Sequence, residues 1–337
     1  MTARVVGRIV PARPTLPLAC GAMRNRTLIT LLAAAACLVA APAGAQGALT
    51  IGIAENQPSL FDDPLFTSLG AKHSRVVMSY NVMTSGDDEL QRVSDYLNKA
   101  QAAGVEPLVT FEHARGAAEI CKKASNRRKS QCKLPTAKQY ETNIRAFFAR
   151  FPFVKTVAPF NEINHFTQPT SRNPAAAARF SDIVRKNCAD CKIVVADILD
   201  QADSTKSKRP TYKSTVRYIQ RFRKALKSPR NICGLHNYSD TNRFRDTGTK
   251  AIIKALGCKE IWLTETGGIY KFASFKASQS RQLKATKYMF TLANRNKRIK
   301  RLYIYTWFGN VTPRFDAGLV ADGVPRSSYN EVKKRIG

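Results

Sequence analysis

From Leu49 onward the chain repeats one pattern, a short continuous apolar run followed by a longer stretch with helical spacing. Eight runs are read: Leu49–Ala54, Ser74–Tyr80, Pro107–His113, Thr156–Asn161, Lys192–Ile198, Ile232–Tyr238, Glu260–Glu265 and Arg301–Trp307. Their apolar residues run on without alternating, as in strands covered on both faces of a parallel sheet. Between them, Asp87–Ala103, Thr136–Phe151, Pro174–Asn187, Thr211–Lys227 and Lys276–Asn294 read as amphipathic helices. Pro174 suits a first helical turn, and Gly104 and Gly257 suit C-terminal stops. Eight β/α units with no linker, repeat array or low-complexity tract predict one α/β domain closed as a (β/α)8 TIM barrel. An open doubly wound sheet is the rival. The first strand, however, runs into Glu55-Asn56-Gln57-Pro58 where that fold carries a glycine-rich phosphate turn.

The N-terminus has a different grammar. Met23-Arg24-Asn25-Arg26 is basic, Leu28 to Ala41 is almost wholly apolar, and Ala43-Gly44-Ala45 supplies small residues before Gln46. This pattern predicts an N-terminal extension and secretory signal peptide over residues 1–45, the signal proper spanning 23–45. The barrel domain is then 46–337, exported to the extracellular space or cell envelope as a monomer. The apolar run falls short of the ~20 residues a bilayer span needs, and no later segment approaches that length. Of eight cysteines, six lie beyond the leader: Cys121, Cys132, Cys188, Cys191, Cys233 and Cys258. An even number in an exported chain favours disulfides, and chain order suggests Cys121–Cys132, Cys188–Cys191 and Cys233–Cys258. The Cys188–Cys191 spacing could also serve a metal or redox site, but no second such pair accompanies it.

The formal net charge is +31, and residues 1–45 contain five Arg and no acid, so the domain itself carries +26. Such a field attracts polyanions, acidic polysaccharides and wall polymers among them, and it also keeps a secreted protein soluble. In a barrel, the segments after each strand line the functional face. The longest, Ala114 to Pro135, carries Lys122, Lys123, Arg127, Arg128, Lys129 and Lys133, and a second basic loop runs from Lys206 to Arg209. Arg295 to Arg301 is equally basic at the other end of the barrel, so charge does not single out a cleft. A nucleic-acid partner rests on charge alone and is not expected.

Chemistry concentrates at the strand ends. Pro159-Phe160-Asn161-Glu162 and Ile261-Trp262-Leu263-Thr264-Glu265 each finish an apolar run on a glutamate, 103 positions apart. Two carboxylates presented from one barrel mouth can cleave an acetal: one protonates the leaving oxygen, the other attacks the sugar carbon. Arg75 in the second strand, His113 ending the third, His236-Asn237-Tyr238 ending the sixth and Trp307 ending the eighth add suitable partners. Glu55, Glu112 and Asp197 also sit at strand ends and read as secondary acids.

Together these positions resemble clan A of the glycoside hydrolases, which includes the family 5 cellulase and mannanase relatives. The resemblance covers roughly Leu49 to Arg335. It implies a retaining O-glycosyl hydrolase acting on a polysaccharide or oligosaccharide. In it Glu162 is the acid/base and Glu265 the nucleophile, while Arg75, His113, Asn161, His236, Tyr238 and Trp307 bind substrate. Glu162 is then expected to start protonated and Glu265 ionised, and Trp307 to floor the sugar site. One departure stands out: Ile163 follows Glu162 where the clan usually has proline.

No cofactor and no metal are expected. His113, His236 and Glu112 lack the HxH or HExxH spacing of a metal site, and no serine-hydrolase elbow or phosphate-loop lysine is present. The alternative reading is a non-catalytic secreted barrel that binds anionic glycans or wall polymers.

Overall fold

The computed structural model describes residues 49–114, 132–204, 209–273, 275–311 and 314–336. Eight parallel strands close into a barrel in chain order. They are β1 (Thr50–Ala54), β2 (His73–Ser79), β3 (Glu106–Glu112), β4 (Thr156–Ala158), β5 (Lys192–Leu199), β6 (Ile232–His236), β7 (Glu260–Thr266) and β8 (Ile299–Tyr305). Closure is by β8 on β1, with Thr50 opposite Arg301 and Ala54 opposite Tyr305. The expected (β/α)8 barrel is the fold.

Helices α1 (Pro64–Leu69), α2 (Asp87–Ala102), α3 (Ala137–Arg150), α4 (Pro174–Asn187), α5 (Lys213–Ala225), α6 (Tyr238–Asn242), α7 (Thr247–Leu256), α8 (Gln279–Asn294) and α9 (Ser327–Ile336) surround it. Local signals set their ends. Thr136 and Gln139 form a reciprocal capping box at the start of α3, Asn173 caps α4 ahead of Pro174, and Gly257 closes α7 in the left-handed conformation.

The core has two layers. Inside the barrel, Ala54, Leu108, Ala158, Val194, Trp262 and Tyr303 fill the centre. Between barrel and helices, the Tyr140 and Phe180 rings stack with centroids 4.2 Å apart, and the Tyr140 hydroxyl donates to the Pro159 carbonyl. The end where the strands begin is sealed by charge. Arg301 lies 4.2 Å over the Trp262 ring and pairs with Glu106 at 3.4 Å, which also faces His73 and Lys192. Burial, with Arg301 close by, lowers the His73 pKa to about 4, so its ring is neutral at physiological pH.

Two elements differ from the sequence expectation in ways that shape the site. β4 ends at Ala158, three residues before Asn161; Pro159 has no N–H to continue the ladder. The Asn161 N–H still reaches the Phe111 carbonyl at 2.6 Å, so the departing segment stays moored to β3. β6 ends at His236, and Tyr238 opens α6 instead of extending the strand.

Two disulfides are present among the described residues, Cys188–Cys191 and Cys233–Cys258, both as expected. The bridge between Cys188 and Cys191 leaves neither sulfur free as a thiolate metal ligand. Cys132 is also disulfide-bonded, while Cys121, its expected partner, lies outside the described residues, as does most of the basic 114–135 loop. The Cys233–Cys258 bridge ties β6 to the segment entering β7 across 25 residues. The double variant Cys233→Ala/Cys258→Ala should lose about 2–4 kcal/mol of stability. Thermal melts check this: reductant should lower the melting temperature of the wild type more than that of the variant.

Candidate active site

The strand ends converge on one charged cluster. Arg75 from β2, Asp197 from β5 and His236 from β6 are fully or almost fully buried. Glu265 sits in β7, in register with His236, and Glu162 lies just past β4. The Arg75 guanidinium donates to Glu265 Oε2 at 2.8 Å and to Asn161 Oδ1 at 2.9 Å, and pairs with Asp197 at 3.4 Å. The Tyr238 hydroxyl donates to the other Glu265 oxygen at 3.0 Å. Burial, aided by the Glu265 charge, holds the Tyr238 pKa well above its ordinary value, so the hydroxyl remains a donor.

His236 joins the two glutamates. Its Nδ1 is 3.1 Å from Glu162 Oε1 and 3.7 Å from Glu265 Oε2. These two distances cap the separation of those oxygens at their sum, about 7 Å, next to the ~5–5.5 Å carboxyl spacing of a double-displacement pair. Burial alone would lower the His236 pKa. Glu265, Asp197 and Glu162 together outweigh it and raise the value to about 9. The ring is therefore an imidazolium at neutral pH.

Glu162 responds in the opposite direction. Burial would raise its pKa, but the His236 hydrogen bond and charge, with help from His165, hold it below the usual carboxylate range. This corrects the expectation that Glu162 starts protonated. Both shifts favour a carboxylate at Glu162 facing a charged His236 ring.

Local chain geometry fixes Glu162 tightly. Its φ of 39° is left-handed, a conformation that a glutamate adopts only where its surroundings enforce it. The Ile163 N–H donates to the Asp197 carbonyl at 2.9 Å. Proline could not make that bond, which accounts for the departure at this position. The Asn164 side chain both accepts from and donates to the Leu199 backbone, at 2.9 and 3.0 Å, so the acid-bearing turn is stitched to the end of β5. On the other flank Gln168 accepts from the His113 N–H.

Against this geometry the comparisons with known proteins can be set. Residues 121–327 match the family model described as glycosyl hydrolase catalytic core. The chain belongs to this family. No curated protein matches it. Among solved structures it is similar to the xylanase XynB from Paenibacillus barcinonensis, with 11% identity over 86% of this chain and 95% of that one, TM-score 0.60. A psychrophilic glycoside hydrolase family 10 endo-β-1,4-xylanase matches with 13% identity over 85% and 96%, TM-score 0.58. A family 1 β-glucosidase from Thermotoga maritima matches with 14% identity over 82% and 86%, TM-score 0.53. Identities this low speak for the shared barrel. The family model bears out a glycosyl hydrolase, while family 5 in particular gains no support.

In this glycosyl hydrolase four residues expected to bind sugar are buried: Arg75 and His236 within the charged cluster, Trp307 and His113 apart from it. Trp307 is fully buried, donating its indole N–H to Asp63 at 2.8 Å and packed edge-on against Phe66 and Tyr329. It plugs the core beneath the site, because α1 and α9 close over its ring. His113 is buried too, its Nδ1 3.1 Å from the Ala114 carbonyl and its Nε2 3.6 Å from Glu112. It supports Glu112 and touches neither glutamate of the pair.

Other residues take up roles that the motifs did not announce. Asp197, read as a secondary acid, is the buried counter-ion of Arg75 and His236 and accepts from Thr264 at 2.6 Å. Gly234 in β6 makes room for it, since a Cβ there would lie 1.7 Å from Asp197 Oδ1. His165, 3.5 Å from Glu162, was passed over because nothing in its spacing separates it from a loop histidine. Tyr305 was hidden inside the β8 apolar run; its hydroxyl pKa is raised by burial and by Glu265. Glu55 is structural, accepting from Thr306 and from the Phe308 N–H.

The raised His236 pKa gives a signed pH dependence. Its stabilisation is complete below the ordinary value near 6.5 and is lost as pH rises through about 9, on the order of 3 kcal/mol in all. Melting temperature should therefore fall between pH 7 and 9 in the wild type and fall less in His236→Gln. Separately, Gly234→Ala should destabilise the fold by roughly 2 kcal/mol or more by overpacking against Asp197, as read by chemical denaturation.

Proposed function

We propose that this glycoside hydrolase works by retention, with Glu265 as nucleophile and Glu162 as acid/base. The observation that carries the reading is the shared contact of both carboxylates with one imidazolium, His236 Nδ1. In the first step a Glu265 oxygen attacks the anomeric carbon while the bond to the leaving oxygen breaks. His236 Nδ1 passes its proton to Glu162, and Glu162 hands it to that oxygen, so that Glu162 ends the step as a carboxylate. Conversion of Glu265 into a neutral ester removes the charge that most strongly raises the His236 pKa, so the imidazolium releases its proton as the step proceeds. In the second step Glu162, now a base, takes a proton from water. The water oxygen displaces Glu265, and the proton returns to His236.

Arg75 and Tyr238 hold the nucleophile through both of its oxygens. Arg75 also engages the Asn161 oxygen, which leaves the Asn161 NH2 as the group to meet a sugar hydroxyl. Fixed donors that stay in place while charge moves lower the barrier without reorganising. The substrate is a polysaccharide or oligosaccharide.

Incubation with a panel of 2-deoxy-2-fluoro glycosides should trap the sugar on the peptide containing Glu265, read by mass spectrometry. Glu162→Ala should lower kcat/KM by about 10²–10⁴-fold, and the wild-type basic limb of kcat/KM should fall near pH 9. If no glycoside labels Glu265 and Glu265→Ala still binds glycans, the barrel is a binder and the catalytic reading fails. Residues 23–45 support export with removal of a leader; protein recovered from the medium or envelope of an expressing cell should begin at Gln46 by N-terminal sequencing.

A further inference from the structure

Beside the catalytic cluster, a pocket of about 470 Å³ opens between the ends of β5 and β6 and the segment after β7. Its wall begins at Tyr238, the residue that holds the nucleophile, and continues through Phe315 and Phe272. The Phe315 ring lies 6.0 Å from Tyr238 and 5.6 Å from Phe272. Phe272 is 43% exposed, a large apolar face turned to solvent at the mouth of a cleft. Such faces suit the C–H side of a pyranose.

The far side of the pocket is cationic. Arg243 sits 5.2 Å over the Phe275 ring, and Arg281 stacks on the same ring at 3.8 Å. Arg281 donates to the Ile269 carbonyl, while its Nε and Nη1 are buried without hydrogen-bond partners. Arg245, also on the wall, is committed to Asp240 at 3.1 Å. Arg243 forms no ion pair with any carboxylate among the described residues, and it is exposed. The one carboxyl lining the pocket, Asp200, is buried and accepts the N–H groups of Ser239 and Asp240. Two guanidiniums held on one ring without an acid between them repel each other, an arrangement that an incoming anion relieves.

We propose that this pocket is a subsite for a carboxylate-bearing sugar, a uronate residue, with its ring on Phe272 and Phe315 and its carboxylate on Arg243. A planar carboxylate matches the two-pronged guanidinium better than it matches a lysine. The proposal rests on the glycosidase reading of Glu162 and Glu265 and names the substrate class that site serves. The net charge of +31 favours the same class by drawing polyuronates to the surface.

Calorimetric titration of the full chain with tetragalacturonate and with cellotetraose, both at physiological salt, tests it. The wild type should bind the uronate oligomer about 10-fold more tightly than the neutral one, and Arg243→Gln should abolish that preference. Lys297→Gln, an exposed change before β8 at the opposite end of the barrel, should leave the preference intact. Absence of any preference in the wild type, its persistence in Arg243→Gln, or an equal loss in Lys297→Gln overturns the subsite; the last would mean a diffuse charge effect. The two readings fail separately. A sugar trapped on Glu265 with no Arg243 dependence sinks the subsite alone. Arg243-dependent uronate binding with no trapped sugar keeps the subsite and sinks the hydrolytic step.

Discussion

Everything at the mouth of this barrel depends on a buried balance of charge: Glu162, Glu265 and Asp197 against Arg75 and His236. Burial works against the charge on both cations. Each is held by the carboxylates around it, and each in turn fixes a carboxylate in place. Asp197 does no bond-breaking in this arrangement. Its buried charge keeps Arg75 and His236 positive, and through them sets the orientation of the two glutamates. Removing one member would strand another, so the cluster behaves as a unit and not as a sum of pairs.

The barrel serves this cluster by separating its two ends. Where the strands begin, Glu106, Arg301 and the neutral His73 form a closed network beneath Trp262. Where they end, backbone continuity is broken on purpose: β4 stops early at a proline, Glu162 takes up a left-handed conformation, and β6 gives way to a helix at Tyr238. Strain at one end is borne by regular pairing at the other. The hydrogen bonds from Ile163 and Asn164 to β5 are what make the strained turn a fixed platform.

Much of this was legible in the chain. Continuous apolar runs revealed all eight strands, because a parallel strand buried on both faces has no polar register to hide it. The two glutamates were legible because each closes an apolar run and a barrel sends strand ends to one face. What escaped was set by neighbours distant in sequence. Trp307 ends its run as a sugar platform would, yet whether its ring meets solvent depends on α1 and α9, which lie at opposite ends of the domain. The glycine at the start of helix α7 is likewise explained only by a distant partner: the Tyr212 ring packs so closely on Gly248 that a Cβ there would lie 2.5 Å from its Cζ. The protonation of Glu162 was misread for a similar reason, since burial pointed one way and a histidine 74 positions on pointed the other.

The bond from the Ile163 amide to the Asp197 carbonyl carries a mechanical implication. The same residue, Asp197, offers its side chain to the cations and its backbone to the turn that bears the acid. A shift of β5 would therefore carry Asp197 and the turn that holds Glu162 along together. Glu162 and its buried counter-ion network thus share one mechanical support, the end of β5.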